Sequence, residues 1–129
     1  MTGEGAVLDS SAILAWVFAE PGADLVRSVI ASSHGSAVNH TEVVGRLAEA
    51  GWDDDDIHGF LKEAAYRIVA FDAGQAFAAG LLKRRTSKFG LSLGDRACLG
   101  LASLLGAPVY TGDRVWSRLE VDVEIRLVR

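Results

Sequence analysis

Short apolar runs alternate along the chain with longer stretches in which apolar side chains recur every third or fourth residue. The first run, Gly5 to Leu8, ends on Asp9 and predicts a buried strand. Ser10 or Ser11 can then cap a helix whose Ile13, Leu14, Val17 and Phe18 share one face, and Glu20-Pro21-Gly22 breaks it. Leu25, Val26, Val29 and Ile30 predict a second helix over residues 23–32. Ser36-Ala37-Val38 reads as a second strand, followed at once by Asn39. Val43, Val44 and Leu47 give helical spacing from His40 or Thr41 to Ala50, and Gly51 stops that helix. A fourth helix is expected over residues 53–67, with Ile57, Phe60, Leu61 and Ala64 on its apolar side.

Ile68-Val69-Ala70-Phe71 is rich in β-formers and predicts a third strand. Asp72 can cap a helix carrying Ala76, Phe77, Ala79, Gly80 and Leu81 towards Lys83. Residues 92–105 form another helix pattern, with Leu93, Ala97, Leu101 and Leu104 on one stripe. Val109-Tyr110 is a short strand leading to Thr111-Gly112-Asp113, and a last strand is expected over residues 124–128. Short apolar strands alternating with amphipathic helices imply α/β architecture: three layers, α/β/α, around a central, mostly parallel sheet of four or five strands. The 129 residues fit a single domain, 1–129, and no linker-like tract divides them.

Composition narrows the classes. Half the residues are hydrophobic, which excludes a disordered chain. Cys98 is the only cysteine, so an intramolecular disulfide and a thiolate zinc cluster are both excluded, and a reducing compartment is expected. Its apolar helical setting reads as that of a small core hydrophobe. Met-Thr-Gly-Glu-Gly at the start has no signal-peptide character, and no apolar stretch approaches the roughly 20 residues that cross a bilayer. A soluble, cytoplasmic protein with no membrane partner is expected. The formal charge of −4 hides an asymmetry: Asp53 to Asp56 are four consecutive acids, while Lys83, Arg84, Arg85 and Lys88 cluster elsewhere. The aspartate run falls at a helix N-terminus, where the dipole favours negative charge, and needs no ligand to explain it.

The candidate chemistry lies in acids near strand ends. Open parallel sheets collect ligands beyond the carboxyl ends of their strands. Asp9, Glu42 and Asp113 follow predicted strands, and Asp95 lies in the first turn of a helix after Gly90-Leu91-Ser92-Leu93-Gly94. Helix capping is the competing explanation. Asn39-x-x-Glu42 and Ser92-x-x-Asp95 both match a capping box, and Asp9 and Asp113 could each be an N-cap. If the four acids converge, their mutual repulsion calls for a cation. All-oxygen ligation selects Mg²⁺, with Mn²⁺ able to substitute, over zinc. His34, His40 and His58 show no ligand spacing, although His40 could approach Glu42.

Such a metal suits phosphodiester hydrolysis, with Asp9, Asp95 and Asp113 as candidate ligands and Glu42 holding or activating a water. No Ser-His-Asp or Cys-His arrangement can be assembled. Ser10, Ser11 and Thr111 are expected to hydrogen-bond the carboxylates or a phosphate.

Four segments together resemble the PIN-domain family, specifically VapC-type ribonuclease toxins of bacterial type II toxin–antitoxin systems. They are Val7-Leu8-Asp9-Ser10-Ser11-Ala12, Asn39-His40-Thr41-Glu42-Val43, residues 91–99 around Gly94-Asp95-Arg96-Ala97, and residues 110–116 around Thr111-Gly112-Asp113-Arg114. The resemblance implies a PIN-like parallel sheet and a Mg²⁺-dependent endoribonuclease. It carries the family's acids onto Asp9, Glu42, Asp95 and Asp113, and places Thr111 where the family often has a supporting Ser or Thr. It also implies a homodimer, a cognate VapB-like antitoxin, and tRNA, rRNA or mRNA as substrate. The departures are Gly112, where Ala is commoner, and the acidic turn at Asp53–Asp56.

Lys83, Arg84 and Arg85, with Lys88, are candidate phosphate clamps for RNA, and Arg96 and Arg114 are placed to pair with site acids or touch phosphate. Trp16, Trp52, Trp116, Phe60, Tyr66 and Tyr110 are expected mainly in packing, with Trp52 on a loop as the exception. The apolar faces of the first four helices exceed what one thin sheet needs, which suits a dimer or an antitoxin groove. Alternatives are a PIN-domain enzyme of RNA processing without a toxin role, a DNA or flap nuclease, and a non-catalytic PIN-like binding module. A receiver domain lacks its acidic pair and lysine here, and a dinucleotide-binding fold lacks Gly-x-Gly-x-x-Gly after Asp9.

Overall fold

A computed structural model of the chain describes residues 5–129. Met1 to Glu4, part of the reading that no signal peptide is present, lie outside the described residues. Five strands, β1 (Val7–Leu8), β2 (His34–Ser36), β3 (Arg67–Val69), β4 (Val109–Thr111) and β5 (Ile125–Leu127), form one parallel sheet in the order β3-β2-β1-β4-β5. The helices are α1 (Ser10–Val17), α2 (Ala23–Val29), α3 (Ala37–Glu49), α4 (Asp54–Ala64), α5 (Ala73–Leu81), α6 (Lys83–Thr86) and α7 (Leu93–Leu105). Short 3₁₀ turns follow α2, α6 and β4.

The sheet's two faces bury different partners, because successive strand side chains point to opposite sides. Leu8 and Tyr110 pack with Ile13, Leu14, Val43 and Leu47 of α1 and α3 and with Ile57 of α4. Val7 and Val109 pack with Cys98, Leu99 and Leu101 of α7 and with Trp116. The three-layer α/β/α arrangement is therefore built on a one-residue alternation in β1 and β4. No helix among the described residues is long and apolar enough to cross a membrane.

Two boundaries differ from the sequence reading. The second strand is His34–Ser36 rather than residues 36–38, because the Ser36 hydroxyl accepts from the Val38 amide at 3.2 Å and starts α3 at Ala37. Helix α4 ends at Ala64 instead of running to Arg67, since Ala65 adopts a left-handed conformation (φ 59°) and releases the chain into β3. That strand spans Arg67–Val69, not residues 68–71, and is an edge exposed at Arg67 and Ile68.

The apolar surface also lies elsewhere than expected. The first four helices spend most of theirs in the core, whereas Phe77 and Leu81 of α5 and Leu93, Leu104 and Leu105 of α7 remain exposed. Cys98 is buried, as are Trp116, Tyr66 and Tyr110. Trp52 packs edge-on against Phe60 at 6.0 Å, and Trp16 packs on the same ring at 5.2 Å, so the loop position of Trp52 does not free it.

Candidate active site

Adjacent parallel strands β1 and β4 end at the same edge, which puts Asp9 beside Thr111 although 102 residues separate them. The Asp9 carboxylate is 3% exposed. Its Oδ2 accepts hydrogen bonds from Ser11 Oγ at 2.6 Å and Thr111 Oγ1 at 2.9 Å. The same hydroxyls staple the following loop: Ser11 Oγ accepts from the Gly112 amide at 2.9 Å, and Thr111 Oγ1 from the Asp113 amide at 3.0 Å. Asp9 occupies the N-cap position of α1, yet its side chain makes no capping bond, so capping does not explain it. Burial pushes its pKa up from 3.8 to about 6, and the nearby charges of Asp95 and Glu42 add to that rise against the lowering effect of the Ser11 and Thr111 hydroxyls.

Glu42 reaches this edge from α3. Its Oε1 accepts from Ser10 Oγ at 3.0 Å and Asn39 Nδ2 at 3.1 Å, and Asn39, wholly buried, also donates to the Gly94 carbonyl at 3.1 Å. A Cβ on Gly94 would collide with the Glu42 carboxylate, so the glycine is what leaves that carboxylate in its present place. The expected Asn39-x-x-Glu42 capping box is not formed, because α3 already begins at Ala37 and both residues lie inside it.

The other two acids serve helix ends. Ser92 and Asp95 form the expected capping box, with Asp95 Oδ2 accepting from the Ser92 amide at 3.0 Å and Ser92 Oγ from the Asp95 amide at 3.2 Å. Asp113 Oδ1 accepts from the Val115 amide at 3.0 Å. The charges of Glu42 and Asp95 thus bear on Asp9, while the Asp113 carboxylate faces its own 3₁₀ turn. Among the described residues no three or more His, Cys, Asp or Glu side chains are drawn together tightly enough to hold an ion.

Several candidates point elsewhere. Arg96 donates to the Ala79 carbonyl at 3.0 Å and ties α7 to α5 instead of pairing with a site acid. Arg114 donates to the Arg129 main-chain oxygen at 2.7 Å, likewise not to one of the four site acids. His40 Nδ1 sits 2.8 Å from the Tyr66 hydroxyl, towards β3, and burial lowers its pKa. Lys83, Arg84 and Arg85 lie on α6, and Arg84, Arg85 and Lys88 line a groove with Glu120 and Asp122 that contains none of the four acids. Residues 120–122 lead into the amino end of β5, whereas the acids follow carboxyl ends, so this basic groove is not the wall of the acidic site.

Asn39, the tether of Glu42, and Arg129 are site residues beyond those expected from the sequence. The latter follows β5 at the same edge and lines a cavity of about 700 Å³ with Ser10, Ser11, Glu42, Glu20 and Arg46. Its place after a predicted strand was the available signal.

A parallel three-layer α/β/α protein with a buried acid at the central strand's carboxyl end is the class these features define. Residues 6–122 match the PIN domain family model, and the chain belongs to the PIN-domain family. It is 34% identical over 114 residues to a protein named Ribonuclease VapC from Mycolicibacterium smegmatis, covering 80% of this chain and 87% of that one. Its fold is similar to VapBC2 from Rickettsia felis bound to a DNA fragment from their promoter, with TM-score 0.73, 14% identity, and 95% and 97% of the two chains covered. DNA-bound VapBC from Salmonella typhimurium gives TM-score 0.71 at 16% identity over 97% and 98% of the chains. Sequence similarity to a VapC-named protein accordingly extends over 80% of the chain, and the shared fold over nearly all of it.

Proposed function

We propose that this protein is a Mg²⁺-dependent endoribonuclease and the toxin of a VapBC-type pair, with Asp9, Glu42, Asp95 and Asp113 as its catalytic acids. The observation that carries this reading is the buried Asp9 carboxylate, which caps nothing and lies in the field of two acids from distant helices. Burying a carboxylate beside like charges is costly unless a cation compensates, and the oxygen-only donor set suits a hard divalent ion. Asp9, Asp95 and Asp113 would hold Mg²⁺, or Mn²⁺ in its place, the last two by giving up their helix-end bonds. Bound there, the ion supplies a water of lowered pKa and offsets charge on the phosphodiester in its transition state.

The chain's own residues supply orientation. Ser11 and Thr111 fix Asp9 through Oδ2, which leaves Oδ1 free of hydrogen bonds from the described residues. Ser10 and Asn39 both occupy Glu42 Oε1, so Oε2 is the atom that takes a proton from the attacking water. The relative from Mycolicibacterium smegmatis bears a ribonuclease name, which supports RNA (tRNA, rRNA or mRNA) as substrate. A VapB-like antitoxin and a homodimer are proposed partners, with the exposed Phe77 and Leu81 of α5 offering apolar contact area.

The test is cleavage of end-labelled RNA by the purified protein with Mg²⁺, with EDTA, and as Asp9→Asn. Cuts that need both the ion and Asp9 support the reading. A non-catalytic PIN-like module is the second reading, because Asp95 and Asp113 are already engaged at helix ends. RNA binding without cleavage under every metal tried would favour it.

A further inference from the structure

We infer that Arg129 is the phosphate-binding residue of the acidic edge, gripping the RNA backbone beside Asp113. Three contacts deliver it there. Leu127 of β5 pairs with Thr111, the Val128 amide donates to the Thr111 carbonyl at 2.9 Å, and Arg114 holds the Arg129 backbone oxygen at 2.7 Å. The guanidinium then lies against Gly112: a Cβ built there would stand 2.7 Å from Arg129 Cζ and 2.8 and 2.9 Å from its two terminal nitrogens. Glycine at this position is thus what admits the guanidinium to the loop between Thr111 and Asp113.

The cavity beside it carries Ser10, Ser11 and Glu42, and its two arginines differ in reach. Arg46 is drawn towards Glu49, its neighbour one helical turn on, at 3.7 Å. Arg129 has one loose ionic contact, to Glu20 at 3.5 Å, with side chains 33% and 44% exposed. A pair so long and solvated contributes little, so an incoming phosphate can replace Glu20 at small cost. A planar guanidinium with free N–H donors matches phosphate oxygens in a two-pronged bond. An acidic edge repels RNA, and Arg129 is the cation placed to offset that repulsion at the loop bearing Asp113.

This inference rests on the nuclease reading and is tested separately from it. Binding of a fluorescein-labelled single-stranded RNA is measured by anisotropy in an Asp9→Asn background, and cleavage is measured in the otherwise unaltered protein with Mg²⁺. Arg129→Gln is expected to weaken binding roughly tenfold, as for loss of one charge-assisted bond, and to reduce the salt slope by about 0.7. KM should rise by a similar factor with little change in kcat. Gly112→Ala, which displaces the guanidinium without removing it, should reproduce the loss, and the double variant should add little more. Glu20→Gln separates a phosphate contact from a structural latch: it should leave RNA binding unchanged or tighter. Unaltered affinity and KM in Arg129→Gln, or a Glu20→Gln loss matching it, would overturn the inference while cleavage continues. A protein that neither binds nor cuts RNA overturns both.

Discussion

Two groups of acids differ in what surrounds them. Asp53, Asp54, Asp55 and Asp56 are consecutive and exposed at the start of α4, where the Asp53 side chain accepts from the Asp56 amide at 2.9 Å. Water and the helix dipole account for their charge. Asp9, Glu42 and Asp95 come from three separate segments, and Asp9 is buried with hydroxyls, not helix amides, as its partners. The first group is denser in sequence, yet the second is the one that buries a carboxylate within the field of other acids. Density of acids along a chain says little about chemistry. Convergence under burial says more.

That contrast can be broken at either end. The largest effect is expected from Asp9→Asn, which should lower RNA cleavage about a thousandfold or more, the equivalent of several kcal/mol of transition-state stabilisation. An unchanged melting temperature would show the fold intact, and undiminished cleavage would remove Asp9 from the site. The second effect is on stability. A carboxyl whose pKa rises from 3.8 to about 6 on folding contributes stability that is complete below 3.8 and is lost as pH climbs through 6, about 3 kcal/mol in all as an upper bound. In EDTA, the stability of the unaltered protein relative to Asp9→Asn should therefore fall by about 2 kcal/mol from about pH 4.5 to about pH 8. Urea unfolding reads this directly, and Mg²⁺ should reduce the loss. A gap independent of pH would contradict the burial of Asp9.

Smaller effects sharpen the picture. Gly94→Ala forces a methyl group into the Glu42 carboxylate and should cut the cleavage rate roughly tenfold, as for loss of a group that positions a catalytic residue. Full activity in a variant with normal stability would detach Glu42 from the reaction. Asp53→Ala should cost about 1 kcal/mol of stability, the ordinary value for a lost helix cap, and leave RNA cleavage unchanged. A drop in cleavage there would erase the distinction between the two groups.

The alternation of strands and helices was legible because short unbroken apolar runs alternate with stretches of apolar period three to four. The second strand was displaced because β2 is His34-Gly35-Ser36, with little apolar character of its own. A Cβ at Gly35 would stand 3.2 Å from the Tyr66 ring, a tight contact that no local pattern encodes. The acids themselves were legible, and so was the capping of Asp95 and Asp113, since the same residue types at the same spacing serve both purposes. Only tertiary contacts separate Asp9 from a cap. Arg96 adjoins a candidate acid in sequence and Arg129 does not, yet only Arg129 lies against the loop at Gly112. One is claimed by the α5 backbone through helix packing, and the other is brought to Gly112 by the pairing of β5 with β4.

The most direct measurement is a crystal of the protein grown with Mn²⁺, with the ion located by its anomalous scattering. The expected result is an ion about 2.2 Å from an Asp9 carboxylate oxygen, with Asp95 turned away from the Ser92 amide and Asp113 from the Val115 amide towards the ion or its waters. Saturating Mn²⁺ with no ion at Asp9, and Asp95 and Asp113 still bonded to their helix ends, would contradict a metal-dependent site at this edge.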